Sequence, residues 1–458
     1  MGIKFKLSTL NFFQFFVWGA WLITFGNFWF GNKGWGGEEF GLVFSTMGIA
    51  SIFMPTIIGI IADRWLNAEK IYGVLQILYG LVLIALPHSN TPTSFFYFML
   101  LAMFCYMPTI ALNNSISYTL LKQKGMDVVK DFPPVRVWGT IGFIVAMWIT
   151  NFSGNKGSGF QFYIGGFAAI ALGIFAFTLP HCPPQKQIDK NASWTEQLGL
   201  NAFKLFANYR LGLFFVFSLL LGAALQLTNA YGDVFLSEFG RFPKYAHSFV
   251  VERSTIIMSI SQISETLFIL AIPFFLKRYG IKTVMLLSML AWFLRFGLFA
   301  YSDPGNGVWM IILSCIVYGM AFDFFNISGS LFVETSTDPK MRSSAQGLFM
   351  MMTNGFGAVL GSYISGVAIE RFFTLKLTDA NDLAKYLDTT IENSDFLDIL
   401  KNTFHVSLEK GTQLSQEIAM RDWHSIWLTF AVYALIVAVL FMILFKYKHQ
   451  SKELIENG

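Results

Sequence analysis

Apolar residues run in long blocks along this chain, and polar residues gather between the blocks rather than alternating with them. A helix of about 20 residues, rising 1.5 Å per residue, crosses the roughly 30 Å hydrocarbon core of a bilayer. Read with that length, the blocks predict twelve spanning helices, at about 8–30, 40–61, 71–88, 95–121, 135–153, 159–180, 209–231, 254–276, 280–301, 306–333, 343–368 and 423–446. Most are separated by short turns rich in Gly, Pro, Asn or Asp, such as PHSNTPT (87–93) and SDPGNG (302–307). Two connections are longer. Residues 182–208, with PPQKQIDKNASW, divide the chain into a first half (1–181) and a second (209–458) of six spans each. The other, near 370–422, carries mixed charge and some helical periodicity; it reads either as a small amphipathic cap or as a tolerated surface insertion.

The halves echo each other. The fourth span ends in ALNNSISYTLL and the tenth holds DFFNISGSLFVE; the fifth opens VRVWGTIGF and the eleventh MRSSAQGLF. Short basic connections follow the second and eighth spans in turn. These parallels recur in order and point to a parallel duplication, which places a binding site between the halves near the midplane.

Composition supports the same class. The chain has 458 residues, 54% hydrophobic and only 13% charged, whereas a soluble domain carries about 25% charged residues. Fifty-one Phe against 16 Tyr suits lipid better than water. The net charge of +4 is mild and spread over loops, so no nucleic-acid surface is read from it. Cys105, Cys182 and Cys315 follow no pairing or metal spacing, and inert packing is expected of them. The first apolar run follows Lys4 and Lys6 and ends in no early small-residue cleavage site, so it reads as a retained span. Lys and Arg crowd one set of connections (Lys4, Lys6, Lys122, Lys124, Lys277, Arg278 and Lys446 among them). The short loops of the opposite set have only Lys33, Lys156, Arg241, Lys244 and Arg253, so both termini are expected in the cytoplasm.

Two carboxylates then change the picture. Glu265 lies in TIIMSISQISETLFILAIPFF and Asp323 in IILSCIVYGMAFDFFNISGSLF. A charge near the centre of a membrane helix costs at least about 3 kcal/mol, so such residues face a bundle interior or a wet cavity and mark a solute or ion path. Amides accompany them at helical spacing: Gln262 with Glu265, Asn326 with Asp323, and Gln226 with Asn229 on the seventh span. Arg136, Thr140 and Phe143 form one face of the fifth span. Any one amide serves equally as a helix–helix hydrogen bond, and any one Phe as packing; four such faces in one chain favour a lined cavity. Tyr318, Phe322, Phe325 and Phe143 offer flat faces for a ring, and the polar groups suit hydroxyls and heterocycle edges. With one arginine against two carboxylates, a neutral solute fits better than a strongly anionic one. Burial disfavours a charged carboxylate, so Asp323 or Glu265 can take a proton with the solute, with Arg136 as counter-ion in the unprotonated state. A fixed structural ion pair is the competing reading. Arg295, inside the ninth span, pairs with a neighbouring helix or snorkels.

The segment GIIADRWLNAEK (59–70) resembles the loop signature of the major facilitator superfamily, Gly-x-x-x-Asp-Arg-x-x-x-x-x-Lys. Gly59, Asp63, Arg64 and Lys70 are accordingly expected to form a conformational gate. Beyond that loop, DFPPVRVWGTIGF (131–143), LLGAALQLTN (220–229), MSISQISETLFIL (258–270), YGMAFDFFNISGS (318–330) and QGLFMMMTNGFG (346–357) resemble the NupG-type bacterial nucleoside:proton symporters of that superfamily. The resemblance covers nearly the whole chain. It implies a helical bundle of two six-helix halves that imports purine and pyrimidine nucleosides with protons across the bacterial inner membrane. It also implicates Arg136, Thr140, Phe143, Gln226, Asn229, Gln262, Glu265, Tyr318, Phe322 and Asp323 in binding the solute. Coupling is expected of Asp323 first and Glu265 second. The chain departs from the family pattern in its longer 370–422 segment and in Ala224, where an acidic residue is typical.

A transporter of another neutral solute such as a sugar, or a membrane sensor that binds without transport, are the alternatives. No nucleophile–base constellation or metal cluster is legible, so neither an enzyme nor a cofactor is expected. The working unit is expected to be a monomer in the lipid bilayer.

Overall fold

The computed structural model describes residues 2–184, 200–338, 341–409 and 411–447, and helix falls on every interval predicted to span. The first half comprises α1 (Ile3–Gly19), α2 (Gly37–Arg64), α3 (Ala68–Ala85), α4 (Pro92–Gln123), α5 (Val128–Phe152) and α6 (Phe160–Ala176). The second opens with α7 (Tyr209–Glu238) and α8 (Ser254–Ala300), which is two helices running through Gly280. Gly280 has φ 77°, a backbone state that a residue with a Cβ resists, and it marks the reversal expected near residue 280. Then come α9 (Val308–Ser336), α10 (Arg342–Met350), a π-helical stretch Met351–Gly357 and α11 (Ala358–Phe372). Eight of the described helices are both long and apolar enough to cross a membrane.

The segment read as cap or surface insertion is a small folded unit. Strands β1 (Thr374–Asp379) and β2 (Gln413–Arg421) pair antiparallel, Thr374 opposite Arg421, around short helices α12 (Ala380–Tyr386) and α13 (Ser394–Ile399). The last helix, α14 (Trp423–Leu444), follows. The unit has its own core of Leu383, Leu387, Phe396, Leu400, Leu414 and Ile418, separate from that of the bundle.

At one end of the bundle the start of α1 meets the end of the first half, Lys6 Nζ donating to the Thr178 carbonyl at 2.8 Å. The Tyr209 hydroxyl, opening the second half, donates to the carbonyl of Leu444 at 3.4 Å. The halves join at the far end. There Asn27 donates to Asp233, Asn151 Nδ2 to the Glu252 carbonyl at 3.3 Å, and Lys156 Nζ to the Val251 carbonyl at 2.6 Å and Ser254 Oγ at 3.1 Å. Next to these bonds, α2 lies backbone to backbone on the π stretch and α11. A Cβ on Gly48 would sit 2.7 Å from the carbonyl oxygen of Gly355, and one on Gly41 would collide with the Ser362 carbonyl. The bundle is thus closed at the far end.

All three cysteines are free and buried, as the sequence reading held. Burial, with Glu69 close by, pushes the Cys182 thiol up to about 12, which keeps it unreactive.

Candidate functional site

Three of the ionisable residues read from the sequence, Arg136, Glu265 and Asp323, come within electrostatic reach across the halves. On α5, Arg136 lies with its guanidinium carbon 4.1 Å above the Phe15 ring of α1, and Thr140 is one turn further along, partly buried. Phe143, buried one turn beyond, meets Trp18 edge-to-face at 6.3 Å. Trp18 is a member the sequence reading missed. Its indole N–H is buried and has no hydrogen-bond partner among the described residues. A tryptophan in an aromatic run carries no periodic signal, and only the fold shows that it borders this face.

Across the interface, the first limb of α8 and α9 nearly touch at the backbone. A Cβ on Gly319 would fall 2.6 Å from the Ser264 carbonyl and 2.7 Å from the Glu265 nitrogen, so only glycine permits this approach. The Ser264 hydroxyl donates to the Ile316 carbonyl beside it. This contact sets Glu265, partly buried, against the turn of α9 that carries Tyr318. Glu265 interacts electrostatically with Arg136 of the other half and with Asp323 of its own. Among the described residues neither carboxylate makes an ion pair at contact distance.

Asp323 is only 4% exposed, and its Oδ2 has no hydrogen-bond partner. Gln226 and Gln262 likewise each hold an amide oxygen buried and unpartnered, and Asn229 is partly buried one turn from Gln226. An unsatisfied buried acceptor costs roughly 1–3 kcal/mol. Each such acceptor calls for an explanation, and donors from a bound molecule supply one. Tyr318 and Phe322 stack nearly parallel with centroids 5.9 Å apart, and Trp292 packs edge-on against Tyr318 at 5.9 Å. Beside Phe322 and Asn326 a crevice of about 20 Å³ reaches Gly222, Thr353 and Asn354. It holds a water, not a heterocycle.

Arg136 of the first half and Glu265, Tyr318 and Asp323 of the second are thus within electrostatic reach of one another, while Gln226 and Gln262 hold unpartnered oxygens on α7 and α8. The loop-signature residues lie elsewhere. Gly59 lines a cavity of about 290 Å³ with Pro55, Pro108, Ser115, Thr119 and Cys182, within the first half at the end bearing the α1 start. Lys70 is exposed at the head of α3, and the side chains of Asp63 and Arg64 lie outside the described residues. A second polar system, also missed, runs through the first half. Gln14 donates to Thr109 at 3.0 Å and accepts from Gln76 at 2.8 Å and from Tyr72, while the Tyr106 hydroxyl donates to the Gln14 carbonyl at 2.8 Å. Its bonds are internal and it ties α1, α3 and α4 into one body.

Known proteins resemble this chain along nearly its whole length. The family model described as "Nucleoside H+ symporter" matches residues 1–387. The chain is 47% identical over 450 residues to the nucleoside permease NupG of Escherichia coli K12, covering 98% of this chain and 97% of that protein. It is 45% identical over 455 residues to the xanthosine permease of the same organism, covering 99% and 98%. A crystal structure of nucleoside transporter NupG superposes with a TM-score of 0.82 at 46% identity, covering 98% of this chain and 100% of that one.

Proposed function

The chain belongs to the nucleoside H+ symporter family, a multi-pass membrane transporter that imports nucleosides with protons, and from that premise we propose how its residues do so. The nucleoside lies between the halves. Its ribose hydroxyls and base edges meet Arg136 and Thr140 from α5, Gln226 and Asn229 from α7, and Gln262 and Glu265 from α8. Phe143, Tyr318 and Phe322 bear on the base. The observation that carries this reading is the set of buried, unpartnered acceptors on Gln226, Gln262 and Asp323, which a donor-rich solute satisfies.

Asp323 is the proton carrier. Its buried Oδ2 has no partner, and a proton taken there arrives with the solute. Glu265, facing Arg136 across the interface, stays a solute contact and lets the first half sense the charge of the second. Movement follows by alternating access, the halves rocking around the site while the far-end contacts break and reform. Twelve helices cross the bacterial inner membrane, both termini in the cytoplasm, which makes the closed far end the outer one. Each chain carries a complete site and works as a monomer, taking purine and pyrimidine nucleosides alike. Gly59, Asp63, Arg64 and Lys70 form the gate on the cytoplasmic side.

Uptake of labelled uridine and adenosine by proteoliposomes, with and without a proton gradient, tests the scheme. Asp323→Asn is expected to lose gradient-driven accumulation, and Glu265→Gln to raise KM by about tenfold, the loss of one charge-assisted hydrogen bond. Unchanged accumulation in the Asp323 variant overturns its role as carrier.

A further inference from the structure

Arg295 is a fully buried cation without a counter-ion. Its exposure is 0%, and no carboxylate stands within ion-pair distance of it among the described residues. It does not snorkel. Its Nη1 donates to the Ser314 carbonyl at 2.7 Å and lies 3.5 Å from Ser261 Oγ, and Ser314 Oγ donates back to the Arg295 carbonyl at 3.0 Å. Nε and Nη2 have no hydrogen-bond partner. The guanidinium carbon lies 4.6 Å above the Tyr318 ring and 5.1 Å above Phe299. An unpaired buried charge is strongly destabilising, and a hydrophobic residue of similar volume would pack here at less cost. The geometry points to use of the charge rather than to packing.

What lies around it names that use. From α9 come Cys315 and Tyr318, the two side chains that bear on the guanidinium. Tyr318 lies in turn within reach of Glu265 and Asp323, so its ring stands between the arginine and the carboxylates of the site.

We propose that Arg295 is a positioning residue of nucleoside recognition: its guanidinium backs the Tyr318 ring that stacks on Phe322 and fixes the angle at which that ring meets the solute. This rests on the reading of Tyr318 as a solute contact. The stacking demands the flat guanidinium fork, which lysine lacks although it keeps the charge.

The test is initial uridine uptake by proteoliposomes across a pH series, with rates normalised to monodisperse protein, for wild type, Arg295→Lys, Arg295→Gln and Tyr318→Leu. Arg295→Lys is expected to raise KM by about tenfold, the scale of a desolvated cation–π contact, with the pH midpoint of uptake unmoved. Arg295→Gln, which loses both the fork and the charge, is expected to raise KM at least as far, again with the midpoint unmoved. A merely structural arginine would lower the yield of folded protein and leave KM and the midpoint in place. Wild-type KM in Arg295→Lys beside a raised KM in Tyr318→Leu overturns the inference. Wild-type KM in both overturns instead the placing of Tyr318 at the solute. Should Arg295→Gln not survive extraction, the lysine variant decides.

Discussion

Arg421, the last residue of β2, forms a buried ion pair with Glu238, the last residue of α7. The same carboxylate accepts from Trp423 Nε1 at 2.8 Å and meets Arg241 at 3.2 Å, and the Arg421 guanidinium stacks 3.7 Å above Phe30 of the first half. Two further contacts join the halves beneath the inserted unit: Glu370 accepts from the Gly37 N–H at 3.0 Å, and Arg371 pairs with Glu38 at 3.2 Å. The unit is therefore seated on the seam that rocking must open.

Removing one partner of a buried ion pair costs about 3–5 kcal/mol when the other charge is stranded, and Arg241 and Trp423, which stay on Glu238, hold the loss of Arg421 to the lower part of that range. Arg421→Met is expected to lower the melting temperature in detergent markedly, while Arg371→Met, whose pair is largely exposed, should shift it little. Differential scanning fluorimetry of the two variants checks this, and equal shifts contradict it.

Much of this was legible in the sequence, for a physical reason. Hydrocarbon tolerates neither bare backbone nor stray charge, so spans appear as unbroken apolar runs, and Glu265 and Asp323 stand out against them. Helical spacing then grouped Arg136 with Thr140 and Phe143. What could not be read depends on distance across the fold. Arg295 is anchored by a carbonyl, which every residue has and no motif announces. Trp18 looks like any lipid-facing aromatic until α5 is laid against it. The inserted unit has too short a periodic stretch to reveal a pair of strands that meet 47 residues apart at Thr374 and Arg421.

The glycine contacts of α2 make a prediction about conformation. In Gly41→Ala the new methyl meets the Ser362 carbonyl, and in Gly48→Ala it falls 2.7 Å from the Gly355 carbonyl; neither neighbour is a flexible side-chain end. Both substitutions should disfavour far-end closure and shift the population toward the state open there, by about tenfold if the overlap costs about 1.4 kcal/mol. Distances between spin labels placed on the two halves at the far end should lengthen. Gly347→Ala, with open space around it, serves as control and should leave them unchanged.

Asp379 links the inserted unit to pH. Its carboxylate accepts from the Thr412 hydroxyl at 2.6 Å and from the Asn381 N–H at 2.8 Å, and these bonds hold it below the usual carboxylate range. A depressed folded value means that ionisation and folding favour each other. The stabilisation is complete above the ordinary Asp range near 3.9 and is lost as pH falls through the folded value. The bonds close the turn between β1 and α12 and pin residue 412 ahead of β2, so their loss should loosen this unit before the bundle. Hydrogen exchange at acid pH is expected to rise first in 374–421, with the spans still protected. Asp379→Asn should show faster exchange there at neutral pH and no further acid step from this site; an acid step of unchanged size in the variant assigns the effect to another carboxylate.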